Sequence, residues 1–542
     1  MCKKAKHDDR ISKLPDSILN HILSSLPIKD AVSTSILSTR WRHLYVYMLN
    51  LDVDFRLFWR LPPPTLKSFM NFMDKQLFFH TEGRIEHLRL NHINISGMND
   101  SNVCEWISAA LWRGVKEIDL GFTYCSSYFP MPTALLFTSK TLVRLKLALP
   151  YVMVVPNHVC LPCLKTLVLQ FFKFEDDDSV RRLISSCPVL EDLSIIISYC
   201  DMQNIRSLKI SNPSLKRLTI EFQRLASTTG IVMDLPSLVY FKYAGFTANN
   251  YSVGNMPCLV RAEADISIFN RSLVRERLYH EHGLAELFLG LGNVKSLRLS
   301  IYPEALPILS HKRFVAFQNL LHLEIQNCGM ALKGIELLEF LEFSPILQTL
   351  VTCKLSKQES FPMEKVPSCV ASQLKEWKVV GYDDQRSLFK MVTYILNNAT
   401  VLEKLTIYNG INSILLVYFK YAGFTANNYS MGNMPCLVRA EADISIFRRS
   451  LVRKRLYQEH GLAELFLGLG NVKSLRLLIY PEAVSFPKEE VPSCVVYKLK
   501  EFIVFDFDDE SSLFKMVSYI LNNATVLEKL TVNTCWCGNG NA

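Results

Sequence analysis

Between residues 16 and 26 the apolar positions Ile18, Leu19, Ile22, Leu23 and Leu26 recur at three- and four-residue spacing, the period of one broad apolar face on an α-helix. Pro15 suits the first turn, where no backbone N–H is needed, and Asp16 lies against the positive end of the helix dipole. Pro27 stops the helix. A second amphipathic segment, Ile28 to Leu37, is expected to turn Ala31, Val32, Ser35 and Ile36 inward, and Ile22 and Ile36 read as plain core residues. Ser38-Thr39-Arg40-Trp41-Arg42-His43-Leu44 closes the unit with a large aromatic. A unit of roughly 40 residues is too small to bury this much apolar surface alone. Either the rest of the chain covers it or a partner does.

Farther along, the period changes. Leucine-type positions recur in pairs two residues apart, each pair preceded by a third: Ile85…Leu88-Arg89-Leu90, Val115…Ile118-Asp119-Leu120, Leu142…Leu145-Lys146-Leu147, Leu164…Leu167-Val168-Leu169, Leu190…Leu193-Ser194-Ile195 and Leu215…Leu218-Thr219-Ile220. Val294…Leu297-Arg298-Leu299 and Leu320…Leu323-Glu324-Ile325 continue the series. The first six centres are separated by 30, 27, 22, 26 and 25 residues, the period of leucine-rich repeats. Each repeat predicts a short inner strand whose leucines stack into a continuous core, with a loop or helix returning outside. A set of independent βαβ units is the competing reading; the regular step favours an α/β solenoid. The residues between the leucines face out of the inner sheet, so Arg89, Lys146, Arg298, Glu324 and Arg476 are candidate binding contacts, or simply solvated side chains.

Two internal copies interrupt the simple array. Residues 238–305 recur at 416–483 with five differences: Val253/Met431, Asn270/Arg448, Glu276/Lys454, His280/Gln458 and Ser300/Leu478. A looser pair relates 361–407 to 486–532. The later copy lacks a stretch equal to two repeats, so the repeat register survives the loss. The upstream junction is tighter: Leu405 to Phe419 is 14 residues, against 23 from Leu218 to Phe241. A kink or break is expected around Tyr408 to Leu416. A tandem extension of the array and a fused reading of two neighbouring genes both account for it.

Composition adds limits. The chain has 542 residues, 49% hydrophobic and 20% charged, which fits a packed globular chain. Its net charge of +9 is spread along the sequence, so no nucleic-acid surface is implied. Fifteen cysteines, an odd number without framework spacing, fit reduced thiols and an expected location in cytoplasm, nucleus or both. The start of the sequence has no apolar signal-peptide core, and no apolar run is long enough to span a bilayer. Cys535-Trp536-Cys537 has no second pair to make a metal site. Asp176-Asp177-Asp178 and Asp508-Asp509-Glu510 read as acids before helices rather than metal clusters. His282 and His460 lack triad or ligand partners. With no phosphate-cradling or nucleophile-elbow motif, the sequence predicts a non-catalytic chain without cofactor or metal.

The N-terminal residues carry a resemblance. Asp9-Arg10-Ile11-Ser12, Leu14-Pro15-Asp16, Ile18-Leu19, Ile22-Leu23-Ser24 and Leu26-Pro27, followed by Ser33-Thr34-Ser35, Leu37-Ser38 and Arg40-Trp41, resemble the F-box of plant F-box proteins. Val366-Pro367-Ser368-Cys369, Leu374-Lys375-Glu376, Tyr394-Ile395-Leu396-Asn397-Asn398-Ala399 and Leu402-Glu403-Lys404-Leu405 look like the FBD domain of plant F-box/FBD/leucine-rich-repeat proteins. Val491-Pro492-Ser493-Cys494 and Tyr519-Ile520-Leu521-Asn522-Asn523-Ala524 repeat that pattern. The family ends with one such unit, so two is a departure. The resemblance divides the chain into an F-box (9–50), a connector (51–84) containing Pro62-Pro63-Pro64, leucine-rich repeats (85–360) and a first FBD-like unit (361–410). Duplicated repeats (416–484) and a second FBD-like unit (485–535) complete it.

The resemblance implies a substrate-recognition subunit of an SCF-type (Skp–cullin–F-box) E3 ubiquitin ligase, with a Skp-type adaptor, a cullin, a RING protein and a target as partners. By position, Leu14, Pro15, Ile18, Leu19, Leu23, Leu26 and Pro27 would meet the adaptor, with Leu37 and Trp41 supporting the helix packing. Leu14-Pro15 favours the interface on its own account, because the pair precedes the helix and has little core to join. A non-ligase binding scaffold, or the product of a non-productive duplicated or fused gene, stays open as the alternative.

Overall fold

The computed structural model describes residues 11–408, apart from intervals of which the longest are 267–285 and 302–316, and then 439–444, 474–479, 496–505 without 498, and 510–533. The chain forms two compact units: residues 1–259 with 270–290, and 260–269 with 291–542.

The first unit begins with helix α1 (Asp16–Ser24), helix α2 (Ile28–Ser33) and two 3-10 turns, Thr34–Ile36 and Trp41–Tyr47. Strands then pair in sequence order, all parallel: Asn50–Asp54, His87–Ile93, Glu117–Phe122, Arg144–Ala148, Thr166–Gln170, Asp192–Ile197, Arg217–Phe222 and Tyr240–Ala244. The register sets Leu51, Leu88, Ile118, Leu145, Leu167, Leu193, Leu218 and Phe241 in one row. Every member of that row is buried. Alternation along each strand explains the repeat: burial follows iBiBiB in Glu117–Phe122, so one face joins the core and the other faces out.

The returns between strands vary with sequence. Where the return is amphipathic it is helical, as in Asp100–Trp112 and Asp177–Ser185. Elsewhere it is extended, and Ser207–Ser211, Gly230–Asp234 and Tyr251–Val253 form a second parallel sheet. Asn212 closes one return. Its buried Nδ2 donates to the carbonyls of Ile184 and Cys187, both at 3.0 Å, and its Oδ1 accepts from Ser214 N at 3.0 Å.

The interval read as a connector is structured. It contributes the strand Asn50–Asp54 and a helix, Pro63–Asp74, so the repeat array starts one strand earlier than residue 85. Pro63 stands at the first helical position, where its fixed φ favours the helix rather than a linker.

In the second unit Arg261–Ile266, Ser296–Ile301, His322–Asn327, Thr349–Leu355, Glu376–Tyr382 and Lys404–Tyr408 continue the pattern in parallel register. Trp377 takes a leucine position opposite Leu350 and Leu405, and its Nε1 donates to buried Thr352 Oγ1 at 3.3 Å. Met391 and Ile395 are buried. Arg439–Ile444, Ser474–Ile479, Glu501–Phe505 and Lys529–Asn533 make a separate four-stranded parallel sheet. Arg439 faces Ser474 in this sheet as Arg261 faces Ser296 in the other, so the duplicated strands keep one register. The kink expected at Tyr408 to Leu416 lies, beyond Tyr408, outside the described residues, as do Cys535, Cys537, His282 and His460.

Candidate functional site

Two surfaces carry the residues that the sequence singles out: the outer side of the N-terminal helical module and the inner face of the repeats. In the module, Leu19, Leu23, Ala31, Trp41, Leu44 and Met48 form a closed core, with Leu14 and Tyr45 packed against it. Arg40 fixes the chain entering α1. Its guanidinium donates to Asp16 Oδ1 at 2.6 and 2.9 Å and to the Leu14 carbonyl at 2.5 Å, so the Leu14-Pro15-Asp16 corner is tied to the turn before Trp41. The sequence alone gives this arginine no role; its position one residue before the core tryptophan was the available signal.

The apolar face of α1 divides. Leu19 and Leu23 are 0% exposed and Trp41 is 5% exposed, so these three fill the module's own core and are withdrawn from a partner's reach. Trp41 thus has the packing role expected of it, and Leu19 and Leu23, expected to meet the adaptor, lie in the same core. Ile18, Ile22 and Leu26, spaced four residues apart, stay exposed. Ile22 is therefore not a core residue. Ile36, also expected inside, is 86% exposed, and neighbouring Leu37 is 65% exposed and contributes little to the packing expected of it. The cause is local: Thr34–Ile36 is a 3-10 turn, and three residues per turn rotate these side chains away from the inner side set by α2. Pro15 is exposed, Leu14 is half-buried, and Pro27 lies outside the described residues.

The inner face is organised as stripes of charge. Asp52, Arg89, Asp119 and Lys146 lie side by side on successive strands. Arg89 reaches Asp52 at 3.5 Å and Asp119 at 3.2 Å, and Lys146 reaches Asp119 at 3.4 Å. His87 Nδ1 lies 3.0 Å from Glu117, and His92 Nδ1 lies 3.2 Å from Asp54. Hydrogen bonds from Arg56 hold the Asp54 carboxyl down at about 2. Arg298 faces Glu324 across the second unit's ladder at 3.4 Å. Burial pushes the His322 pKa below its usual value. Arg476 lies in the strand Ser474–Ile479, opposite Glu441 and Ile503. Four of the five candidate target contacts thus already share charge with a neighbouring strand, which an isolated reading of each residue does not foresee.

Asp176 caps the helix Asp177–Ser185, accepting from Ser179 N at 2.6 Å, which explains the acidic run without a metal. Among the described residues no His, Cys, Asp and Glu side chains are grouped in threes to hold a metal ion. Among them, no helix is long and apolar enough to cross a membrane.

A helical module ahead of parallel repeat strands defines the class, an F-box protein with leucine-rich repeats, and family models agree. The F-box domain model matches residues 11–44, and the At1g61320/AtMIF1 leucine-rich-repeat domain model matches residues 77–422. The FBD model matches residues 487–532, the second of the paired units, while the first lies within the repeat match. The chain is 31% identical to the Arabidopsis thaliana F-box/LRR-repeat protein At2g42730, an alignment that covers 75% of this chain and 93% of the relative. It is 33% identical to F-box/LRR-repeat protein At4g14096 (75% and 89%) and 31% identical to F-box/FBD/LRR-repeat protein At5g56420 (72% and 89%), both also from Arabidopsis thaliana. The chain belongs to the plant F-box/FBD/leucine-rich-repeat family.

Proposed function

We propose that this chain is the non-catalytic substrate-recognition subunit of an SCF-type ubiquitin ligase in cytoplasm or nucleus. One observation carries the reading: the F-box module fills its core with Leu19, Leu23 and Trp41, yet leaves Ile18, Ile22, Leu26, Ile36 and Leu37 in solvent. A small domain rarely leaves so many large apolar side chains exposed without a partner to cover them. Together with Leu14, Pro15 and Pro27, these residues would dock the Skp-type adaptor, and through it the cullin and RING protein. The repeats would hold the target, and tethering would raise the effective concentration of its lysines beside the charged conjugating enzyme.

Co-purification with a Skp-type adaptor tests this reading. The native chain is expected to retain the adaptor, and the Leu14→Ala/Pro15→Ala and Ile36→Ser/Leu37→Ser variants to lose it while remaining folded. Retention by both variants would move the interface elsewhere, and a folded native chain that fails to bind would favour a scaffold role outside a ligase.

A further inference from the structure

A cavity of about 910 Å³ lies where the end of α1 meets the first strands of the repeat array. Ser25 and Leu26 border it on the helical side, and Asp52, Arg89, Asp119 and Arg144 are among its strand residues. Three features set it apart from an ordinary solvated face. Asp119 spends its Oδ2 on Arg89 and Lys146, while its Oδ1 is buried and accepts no hydrogen bond. The register sets Arg144 opposite Glu117, but Glu117 turns to His87 at 3.0 Å, and exposed Arg144 has no ion pair among the described residues. His92, which also lines the cavity, holds a left-handed φ of 56°, a conformation unfavourable for a residue with a side chain and concentrated at functional sites.

Among the described residues the cavity therefore presents an acceptor, Asp119 Oδ1, and a cation, Arg144, without a partner, beside His92 Nδ1, which is buried and makes no hydrogen bond. Asp119 and Arg144 lie on adjacent parallel strands two residues out of register, which a strand spacing of about 4.8 Å and a two-residue rise of about 6.6 Å turn into a separation of about 8 Å. An extended peptide repeats its side chains on one face every second residue, roughly 6.6–6.8 Å apart. Gly121, the next outward position after Asp119, lets Asn91 pack close over the strand: a Cβ there would meet Asn91 Oδ1 at 3.0 Å.

We propose that this cavity binds an extended segment of the target protein bearing a basic residue and, two positions away, an acidic one. The basic head group would donate to Asp119 Oδ1, and the acidic side chain would accept from the Arg144 guanidinium. The proposal deepens the ligase reading and rests on it, since it assigns the segment to a target. It also places the target segment beside Leu26, which is common to the cavity rim and to the apolar surface left for the adaptor.

The test uses the full chain co-purified with a Skp-type adaptor. Fluorescence anisotropy would compare a fluorescein-labelled Gly-Ser-Lys-Ala-Glu-Ser-Gly probe with a probe ending Lys-Ala-Lys and with one whose Lys and Glu are adjacent. The native chain is expected to prefer the first probe by about tenfold or more, and added salt to weaken that binding. Arg144→Glu, an exposed substitution, is expected to reverse the preference toward Lys-Ala-Lys, and Asp119→Asn to weaken every Lys probe. Equal binding of all three probes, or an unchanged preference in Arg144→Glu, would overturn the cavity assignment. If the adaptor is retained while probes are not distinguished, the ligase reading stands and the peptide site falls. If the adaptor is absent while the preference and its reversal persist, the site stands and its assignment to a ligase target falls.

Discussion

Asp54 lies between Arg56 and His92, and hydrogen bonds from Arg56 lower its carboxyl to about 2 from an ordinary 3.8. A carboxyl depressed in the folded state contributes stability above its unfolded pKa and loses it as the pH falls from about 4 to about 2. Arg56→Ala is therefore expected to lower stability at pH 6, with the deficit shrinking below pH 4. Urea denaturation across that range checks this, and a pH-independent deficit would exclude the ion pair as its cause. Burial raises the thiols of Cys187 and Cys369 to about 12, so at pH 8 they remain protonated and unreactive. Brief alkylation of the folded protein followed by peptide mass analysis should label exposed Cys163 and Cys258 and spare that buried pair. At Asn212 the side chain satisfies two buried carbonyls. Asn212→Ala leaves both without a donor and should cost about 1–3 kcal/mol per unpaired group, read as a lowered melting temperature.

Elements differ in how openly the sequence declares them. The leucine row was legible because a parallel ladder converts a two-residue alternation into a straight core seam, which leaves the same mark in every repeat. The strand Asn50–Asp54 was not, since Met48 rather than a leucine or β-branched residue holds its leading position and the acids of Asn-Leu-Asp-Val-Asp read as loop. Its burial of Leu51 and Val53 depends on the neighbouring strand His87–Ile93 rather than on local propensity. In the F-box module the helix was legible, whereas the division of its broad face was not. Periodicity gives a face, but which half meets the module's own core depends on the approach of Trp41 and Leu44. This division makes opposite predictions for adjacent residues. Leu23→Ala should cost about 2–5 kcal/mol and lower the melting temperature of the module. Ile22→Ser should leave the melting temperature within about 2 °C, since surface changes fall near 0.5 kcal/mol, and weaken adaptor retention. Calorimetry paired with the co-purification separates the two, and a large stability loss in Ile22→Ser would return it to the core.

At the scale of the molecule, the duplication poses the question of what the extra sheet contributes. Three-quarters of this chain covers 93% of an F-box/LRR-repeat relative, so most of such a protein is matched without using the whole of this one. The strands from Arg439 to Asn533 hydrogen-bond only among themselves among the described residues, while Lys404–Tyr408 is the last strand of a different sheet. A repeat array draws its stability from each unit and its immediate neighbours, so removing a ladder with separate pairing should cost the remainder little. A chain ending after Tyr408 should therefore fold, keep the parallel-strand signature in circular dichroism and retain the adaptor through its N-terminal module. It should also keep the probe preference set by Asp119 and Arg144, because both lie in the first unit's ladder. The preference would stay within about twofold of the full chain's. An aggregated or molten product would show instead that the later copy completes the array that precedes it, and would make the duplication a structural requirement of this protein rather than an addition to it.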